Sequence, residues 1–236
     1  MARRTDGLGG RLVALLNGLR LARLLDVPLR FAWPSDSNLG FGMTIPEAGE
    51  VFSERFLDAY LGDTPQGYRY STLGSTSTTL DELSETLDHR RMAIMPIMPL
   101  WTFVSDEAAR GPFRSELDQI EFTESFAAAI AAADAIPIED DFTAIHVRAG
   151  DIVFGSSRRH FVHPRKAIAY PAVDRLAREI RASGATPVLF GQERDALERI
   201  AQSHGAVLAE DLLPASIAGL PRALAEIVLM SRIMKT

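Results

Sequence analysis

The sequence of 236 residues lacks cysteine altogether, which excludes disulfides, thiolate metal sites and a cysteine nucleophile. It also lacks any apolar run of the roughly 20 residues that a membrane-spanning helix needs. The first residues, Met1-Ala-Arg-Arg-Thr-Asp6, do not contain the apolar centre of a signal peptide. These absences predict a protein without a membrane span, and a cytoplasmic location follows as the default expectation.

Positively charged residues are fewer than negatively charged ones: the chain has 25 Lys and Arg residues and 31 Asp and Glu residues, for a net charge of -6 at pH 7. A nucleic-acid binder needs a face that collects positive charge against the phosphate backbone, so we expect no nucleic-acid partner. A local basic stretch at residues 155–166 either covers an anionic ligand or is simply a solvated loop. Its histidines, His160 and His163, have no third ligand nearby in sequence, so no metal site is predicted.

The second half of the chain alternates between segments of strand and helix character. Apolar, partly β-branched runs predict the strands, and amphipathic patterns predict the helices between them. In chain order, the predicted elements lie at residues 144–148, 172–182, 187–191, 194–204, 206–209 and 220–230. Strands that alternate with helices in this way indicate a parallel sheet with right-handed crossovers.

The first half alternates in the same way with less regular spacing. Its predicted helices and strands lie at residues 12–25, 27–33, 46–61, 68–73, 80–89, 92–98 and 122–135. The stretch Ile136-Pro-Ile-Glu-Asp-Asp141 then interrupts the helical pattern. Because 47% of the residues are hydrophobic, the chain can bury two cores of modest size. We therefore predict two α/β domains, of residues 1–138 and 139–236.

The segment from Phe142 to Asp151 has the pattern of a buried strand that ends in a polar turn. Side chains alternate along a strand, so His146 and Arg148 share a face, at the end where open α/β sheets bind ligands. Arg148 stays charged and can bind two phosphate oxygens at once. For Asp151 we expect one of three roles: a hydrogen bond to the loop backbone, an ion pair with Arg148, or a hydrogen bond to a ribose hydroxyl. The alternative is an ordinary strand end with a solvated Arg and an Asp that caps the turn.

The glycines at positions 7, 9 and 10 precede an apolar helix. A glycine-rich turn at a helix start lets backbone N–H groups approach an anion or a substrate closely. Equally, a helix entry can need small residues for packing alone. Residues 1–6 are short and polar, so the strand that usually precedes such a turn is not expected here.

Taken together, Gly7-Leu-Gly-Gly-Arg-Leu12 and Ile145-His-Val-Arg-Ala-Gly-Asp151 resemble motifs of the fucosyltransferase superfamily, especially the nodulation and α1,6-fucosyltransferases and the protein O-fucosyltransferases. The resemblance covers both halves of the chain, and the matching segments occur in the same order. It implies a GT-B-like α/β fold of two Rossmann-like domains with parallel sheets, residues 1–138 on the acceptor side and residues 139–236 binding the nucleotide sugar. It also implies that GDP-fucose is the donor, a glycan or other hydroxyl the acceptor, and that transfer inverts the sugar without a metal or other cofactor.

By position, the resemblance assigns Arg148 to the donor diphosphate as the catalytic residue, with His146 and Asp151 in the same nucleotide-sugar site. It assigns Gly9, Gly10 and Arg11 to the cleft between the domains. Gly10 stands where relatives commonly carry Asn.

The resemblance also implies that the chain is truncated at both ends. The strand before the glycines and the family's last Ser/Thr-containing motif both lack a counterpart, so the C-terminal domain is expected to be incomplete. Two alternatives therefore stay open. One is a non-catalytic remnant that binds nucleotide sugars or a partner, and the other is a glycosyltransferase with a different nucleotide sugar.

Overall fold

The structure, a computed structural model, describes residues 2–3, 8–34, 46–62, 69–71, 78–89, 92–94, 104–111, 113–147, 169–191 and 193–234. Within these ranges, no helix is both long and apolar enough to cross a membrane. The described residues form two compact units, the first ending at Thr123 and the second beginning at Glu124. The domain boundary predicted after residue 138 lies one helix further along the chain.

The first unit contains a four-stranded parallel sheet in the order β2-β1-β4-β3. Its strands are β1 (Ala2–Arg3), β2 (Phe31–Ala32), β3 (Arg69–Ser71) and β4 (Met92–Ile94). Its helices are α1 (Leu8–Leu25), α2 (Ala48–Val51), α3 (Glu54–Tyr60), α4 (Leu80–His89) and α5 (Arg114–Leu117), with a 3-10 turn at Glu107–Ala109. The prediction for α4 is confirmed at both ends, and the predicted strand at 92–98 is described only as far as Ile94.

The expectation of no strand before the glycines is wrong. Strand β1 lies in the middle of the sheet, where Ala2 pairs with Phe31 on one side and with Ile94 on the other. The Ala2 side chain is buried, and its N–H donates to the Arg30 carbonyl at 2.8 Å. A strand of two residues has no periodicity to detect, so only its partners reveal it.

Helix α1 begins at Leu8 rather than at Leu12, so Gly9 and Gly10 lie within its first turn. The helix packs directly on β1 at Gly18, because a Cβ there would stand 2.8 Å from the Ala2 Cβ atom. It ends before Asp26, whose φ of 50° is left-handed and cannot continue a right-handed helix. Helix α1 thus contacts the sheet closely at Gly18.

The helix predicted over residues 46–61 is two short helices, α2 and α3. The chain is extended at Phe52 and Ser53 between them, and the Ser53 hydroxyl caps α3 by accepting from the Phe56 N–H. The extended stretch allows Phe52 to form a bridge with Phe122 and to stack on it, with ring centroids 6.0 Å apart. The packing of Phe52 on Phe122 therefore interrupts the single helix that the apolar spacing predicts.

A buried ion cluster fastens α1 to α5. Glu116 is completely buried, and its carboxylate accepts from Arg20 at 2.8 and 3.2 Å and from Arg23 at 2.9 Å. Arg20, itself 2% exposed, also donates to the carbonyls of Ala109 and Gly111 and lies over the Phe113 ring. Burial raises the pKa of Glu116, but the hydrogen bonds from the two arginines and the Arg20 charge outweigh it and bring the pKa to about 2.

The second unit is built on the parallel sheet β5-β6-β7. These strands are β5 (Phe142–Val147), β6 (Thr186–Gly191) and β7 (Val207–Leu208). The helices are α6 (Glu124–Ala135), α7 (Tyr170–Ala182), α8 (Arg194–His204), α9 (Ala209–Leu212) and α10 (Gly219–Ile233). The predicted alternation of strands and helices and the parallel pairing are confirmed. Gly205 ends α8 with a φ of 62°, as glycine commonly does.

Helices cover both faces of this sheet. On one face, Val188 and Phe190 pack with residues of α6 and α10. On the other face, Leu189 of the same strand packs with residues of α7 and α8. Because α6 shares a core with α10, it belongs to the second unit, and this explains why the division falls at residue 123 rather than after residue 138.

Candidate functional site

His146 lies one residue before the carboxyl end of β5, where its main chain pairs with Phe190. Phe142 and Ala144 contact the core on the α6 and α10 side, so the alternation of the strand puts His146 on that same face. The His146 side chain is exposed. Arg148 and Asp151, which follow it, lie outside the described residues.

The neighbouring strand β6 ends at Gly191, where the chain is closely packed. A Cβ at this position would stand 2.8 Å from the Val147 carbonyl oxygen and 2.9 Å from Cδ1 of Leu197. One contact is backbone and the other is a buried core side chain, so neither can move cheaply. Glycine is therefore required for β6 to run alongside β5 up to the edge of the sheet.

We expect Gly191→Ala to lower the free energy of unfolding of the second unit by about 1–3 kcal/mol, the usual cost of overpacking. Chemical denaturation followed by far-UV circular dichroism measures it. Gly9→Ala is the matched control, because a Cβ at Gly9 has no neighbour within 4 Å and alanine favours a helix by up to about 1 kcal/mol. Equal stability of Gly191→Ala and the parent protein would contradict the crowding described here.

A cluster of charged side chains surrounds a shallow depression at this carboxyl edge. The depression is lined by Arg194, Glu210 and Glu226 together with the ends of β6 and β7. Arg194 contacts the Glu210 carboxylate and bonds Asp211 at 3.0 Å. Arg222 donates to the Glu210 carbonyl at 2.8 Å and contacts the Glu226 carboxylate at 3.4 Å. The four residues of this edge cluster, Arg194, Glu210, Arg222 and Glu226, thus tie α8, α9 and α10 together.

The edge cluster was not predicted from the sequence. The available signal was the spacing of Arg222 and Glu226, four residues apart on one helix, but such pairs are common on solvated helix faces. Burial raises the pKa of the Glu226 carboxyl, although the charge of Arg222 and its hydrogen bond act in the opposite direction. Only the fold shows that this pair stands at the end of the sheet where ligands bind.

In the first unit, the glycines predicted to approach a ligand form the first turn of α1. Gly9 is exposed and Gly10 is half-buried. The N–H groups of a first helical turn have no acceptor within the helix, and such groups can donate to an anion or a substrate. Arg11 is buried, with its guanidinium 5.1 Å from the Trp33 ring centroid. Arg11, Trp33 and the ends of β1 and β2 line a second small depression.

Solved structures of other proteins resemble this chain in fold. No family model matches this chain, and no curated protein matches it. The crystal structure of the fucosyltransferase NodZ from Bradyrhizobium is similar with a TM-score of 0.50 and 16% sequence identity, over 98% of this chain and 85% of that one. A structure of the NodZ α-1,6-fucosyltransferase soaked with GDP-fucose is similar at a TM-score of 0.44 and 15% identity, over 98% and 82% of the two chains. At this level of identity the likeness concerns the fold, and the chain has a fucosyltransferase-like fold.

Proposed function

We propose that this protein is a glycosyltransferase that moves fucose from GDP-fucose to a hydroxyl of a glycan-like acceptor, with inversion and without a metal. One observation carries the proposal. An exposed His146 stands at the carboxyl edge of a parallel sheet, two residues before Arg148, in a chain with the fold of a fucosyltransferase. Strand ends at this edge are the usual ligand site of open α/β sheets.

The proposal extends to the architecture and to the roles of the two halves. We infer a GT-B arrangement in which the second unit, from Glu124, holds the nucleotide sugar and the first unit, as far as Thr123, binds the acceptor. In this arrangement His146, Arg148 and Asp151 contact the donor. We assign the N–H groups of the first turn of α1, with Gly9 and Gly10, to the acceptor.

The reaction requires charge to be stabilised at the leaving group. As the bond between sugar and phosphate breaks, positive charge develops on the sugar ring and negative charge on the departing diphosphate. A guanidinium fixed at the strand end stabilises the growing negative charge through two parallel hydrogen bonds. Arg148 is the residue to which we assign this role.

The charges of the edge cluster favour binding of the base or the sugar of the donor over binding of its diphosphate. Carboxylates repel a diphosphate, and the cluster with Asp211 contains three carboxylates against the two guanidinium groups of Arg194 and Arg222. Carboxylate oxygens accept hydrogen bonds from the N–H groups of a base or from sugar hydroxyls. We therefore place the diphosphate towards Arg148 and the uncharged groups towards the edge cluster.

Isothermal titration with GDP, GDP-fucose, UDP and ADP tests the proposal. We expect GDP and GDP-fucose to bind at least about tenfold more tightly than UDP and ADP, a difference of about 1.4 kcal/mol in binding free energy. Tight binding of UDP together with indifference to GDP would overturn the choice of donor. Donor binding without any turnover of GDP-fucose would instead identify a non-catalytic binding protein.

A further inference from the structure

Glu226 carries a carboxyl group in a partly enclosed position. Its side chain is 25% exposed and lines the depression at the carboxyl ends of β6 and β7. Burial removes water from the charged form, and for this reason the pKa of the Glu226 carboxyl is raised. A protonated carboxyl accepts hydrogen bonds less well than a carboxylate does. The use of Glu226 as an acceptor therefore depends on the groups that keep it ionised.

Arg222 contacts Glu226 and is also anchored on a second helix. Its Nε lies 3.4 Å from Oε1 of Glu226. Its Nη2 donates to the Glu210 carbonyl oxygen at 2.8 Å and lies 3.6 Å from Oε2 of the same residue. The guanidinium is planar, so an anchor in α9 and a contact in α10 together fix its position and its orientation. The Arg222 charge and its hydrogen bond lower the pKa of Glu226 and so oppose the effect of burial.

The order of this pair does not favour the helix that carries it. The dipole of a helix favours acidic side chains near its start, yet the first turn of α10 contains no acidic residue and Arg222 lies close to that end. A pair four residues apart also stabilises a helix more when Glu precedes the basic residue, and here Glu226 follows Arg222. The pair is therefore better explained by its place at the edge of the sheet than by the stability of α10.

The other charged groups of this edge do not take the place of Arg222. Arg194 contacts Glu210 and Asp211, and the negative charge of these two carboxylates disfavours ionisation of a third one nearby. We propose that Arg222 is a positioning residue, which holds the Glu226 carboxylate ionised at the depression, where it accepts hydrogen bonds from the uncharged part of the donor. The role towards the donor rests on the proposed function, whereas the coupling of Arg222 to Glu226 does not.

NMR titration of the glutamate carboxyl carbons tests the coupling without any ligand, with the Glu226 signal assigned by its loss in Glu226→Gln. We expect the titration midpoint of Glu226 to move to higher pH in Arg222→Gln, because the opposing positive charge is gone. Arg222→Lys keeps the charge, so its midpoint should lie closer to that of the parent protein. Far-UV circular dichroism checks that each variant is folded. An equal midpoint in Arg222→Gln and the parent protein would overturn the coupling.

Arg232→Gln is the matched control, because Arg232 lies on the same helix with 26% of its side chain exposed and donates to the Ala133 carbonyl oxygen instead. Its substitution removes one positive charge from α10, as the change at Arg222 does. The Glu226 midpoint of this control should equal that of the parent protein. A shift as large as that of Arg222→Gln would mean that the net charge of the helix, rather than the contact with Arg222, sets the ionisation of Glu226.

Calorimetric titration with GDP at about pH 5.5 and about pH 8 tests the positioning role. The ratio of the two Kd values should be about threefold to tenfold larger in Arg222→Gln than in the parent protein, and the titration of GDP itself cancels in this comparison. At the higher pH, where Glu226 is ionised in both proteins, we expect Arg222→Gln to bind within about threefold of the parent protein. In a Glu226→Gln background, the Arg222 substitution should have no further effect.

Two outcomes of the GDP titration contradict the proposal in different ways. A loss of more than about tenfold in Arg222→Gln at both pH values, with an unchanged ratio, would overturn the positioning role and make Arg222 a ligand of the diphosphate. A parent protein that binds no GDP would contradict the proposed function and with it the role towards the donor. The NMR titration would still decide the coupling of Arg222 to Glu226.

Discussion

Arg148→Lys should lower the turnover of GDP-fucose by about 10²–10³, the scale of a lost transition-state donor, with little change in melting temperature. Lysine keeps the positive charge but loses the planar fork that binds two phosphate oxygens at once. A group that stabilises charge growing on the leaving diphosphate acts in the transition state, so we expect the loss mainly in kcat rather than in KM. Steady-state kinetics and thermal melting of the purified variant measure both quantities.

Arg175→Lys is the matched control for this change, because Arg175 is an exposed arginine of α7 with a long surface contact to Glu179 at 3.9 Å, and its replacement should leave turnover near that of the parent protein. A fall in melting temperature in Arg148→Lys, with GDP affinity reduced only as far as folding is, would make Arg148 a structural partner of Asp151. If Arg148→Lys melts, binds GDP and turns over like the parent protein, the assignment of the catalytic residue is wrong.

The second large effect is expected at Glu116, where Glu116→Gln should destabilise the first unit by about 3–5 kcal/mol. The change is nearly isosteric, but it leaves the buried Arg20 guanidinium without its carboxylate. Both tryptophans of the chain precede residue 124, so denaturant unfolding followed by tryptophan fluorescence reports on this unit.

Glu121→Gln is the control for the Glu116 change, because Glu121 pairs with the exposed Arg55 and surface pairs contribute little. Acid provides a second check. The pKa of Glu116 is about 2 in the folded protein, against an ordinary value of 4.5. The contribution of its ionised carboxylate to the free energy of unfolding is therefore fully present above pH 4.5 and is lost as the pH falls towards 2. Glu116→Gln should lack that part of the acid dependence. Equal destabilisation by the two substitutions would contradict a buried ion cluster.

Long periodic segments were predictable from the sequence, and short ones were not. Helix α4 and the alternation of β5 to α8 follow from apolar spacing that the tertiary structure does not override. Strand β1 has only two residues, and the break at Ser53 depends on the packing of Phe52 against Phe122. Such features are set by partners far along the chain, which local patterns do not contain.

The candidate site shows the same difference between features set by local sequence and features set by contacts between distant segments. The position of His146 at an exposed strand end could be predicted, because the strand pattern and its polar end lie in one stretch. Arg222 and Glu226 could not be assigned to the same edge, since their meeting with Glu210 requires the packing of α10 beside α9. The predicted roles of Arg148 and Asp151 remain predictions that the kinetics will decide.

The central place of β1 also constrains the order in which the protein can fold. The partner of Ala2 in β4, Ile94, is synthesised long after Ala2 itself. The first sheet therefore cannot close until much of its unit has been made, whereas each strand of the second sheet pairs with the next strand along the chain. Non-local pairing slows folding. During synthesis, one edge of β1 thus stays without its neighbouring strand until β4 has been made, and an open edge of this kind is prone to aggregation.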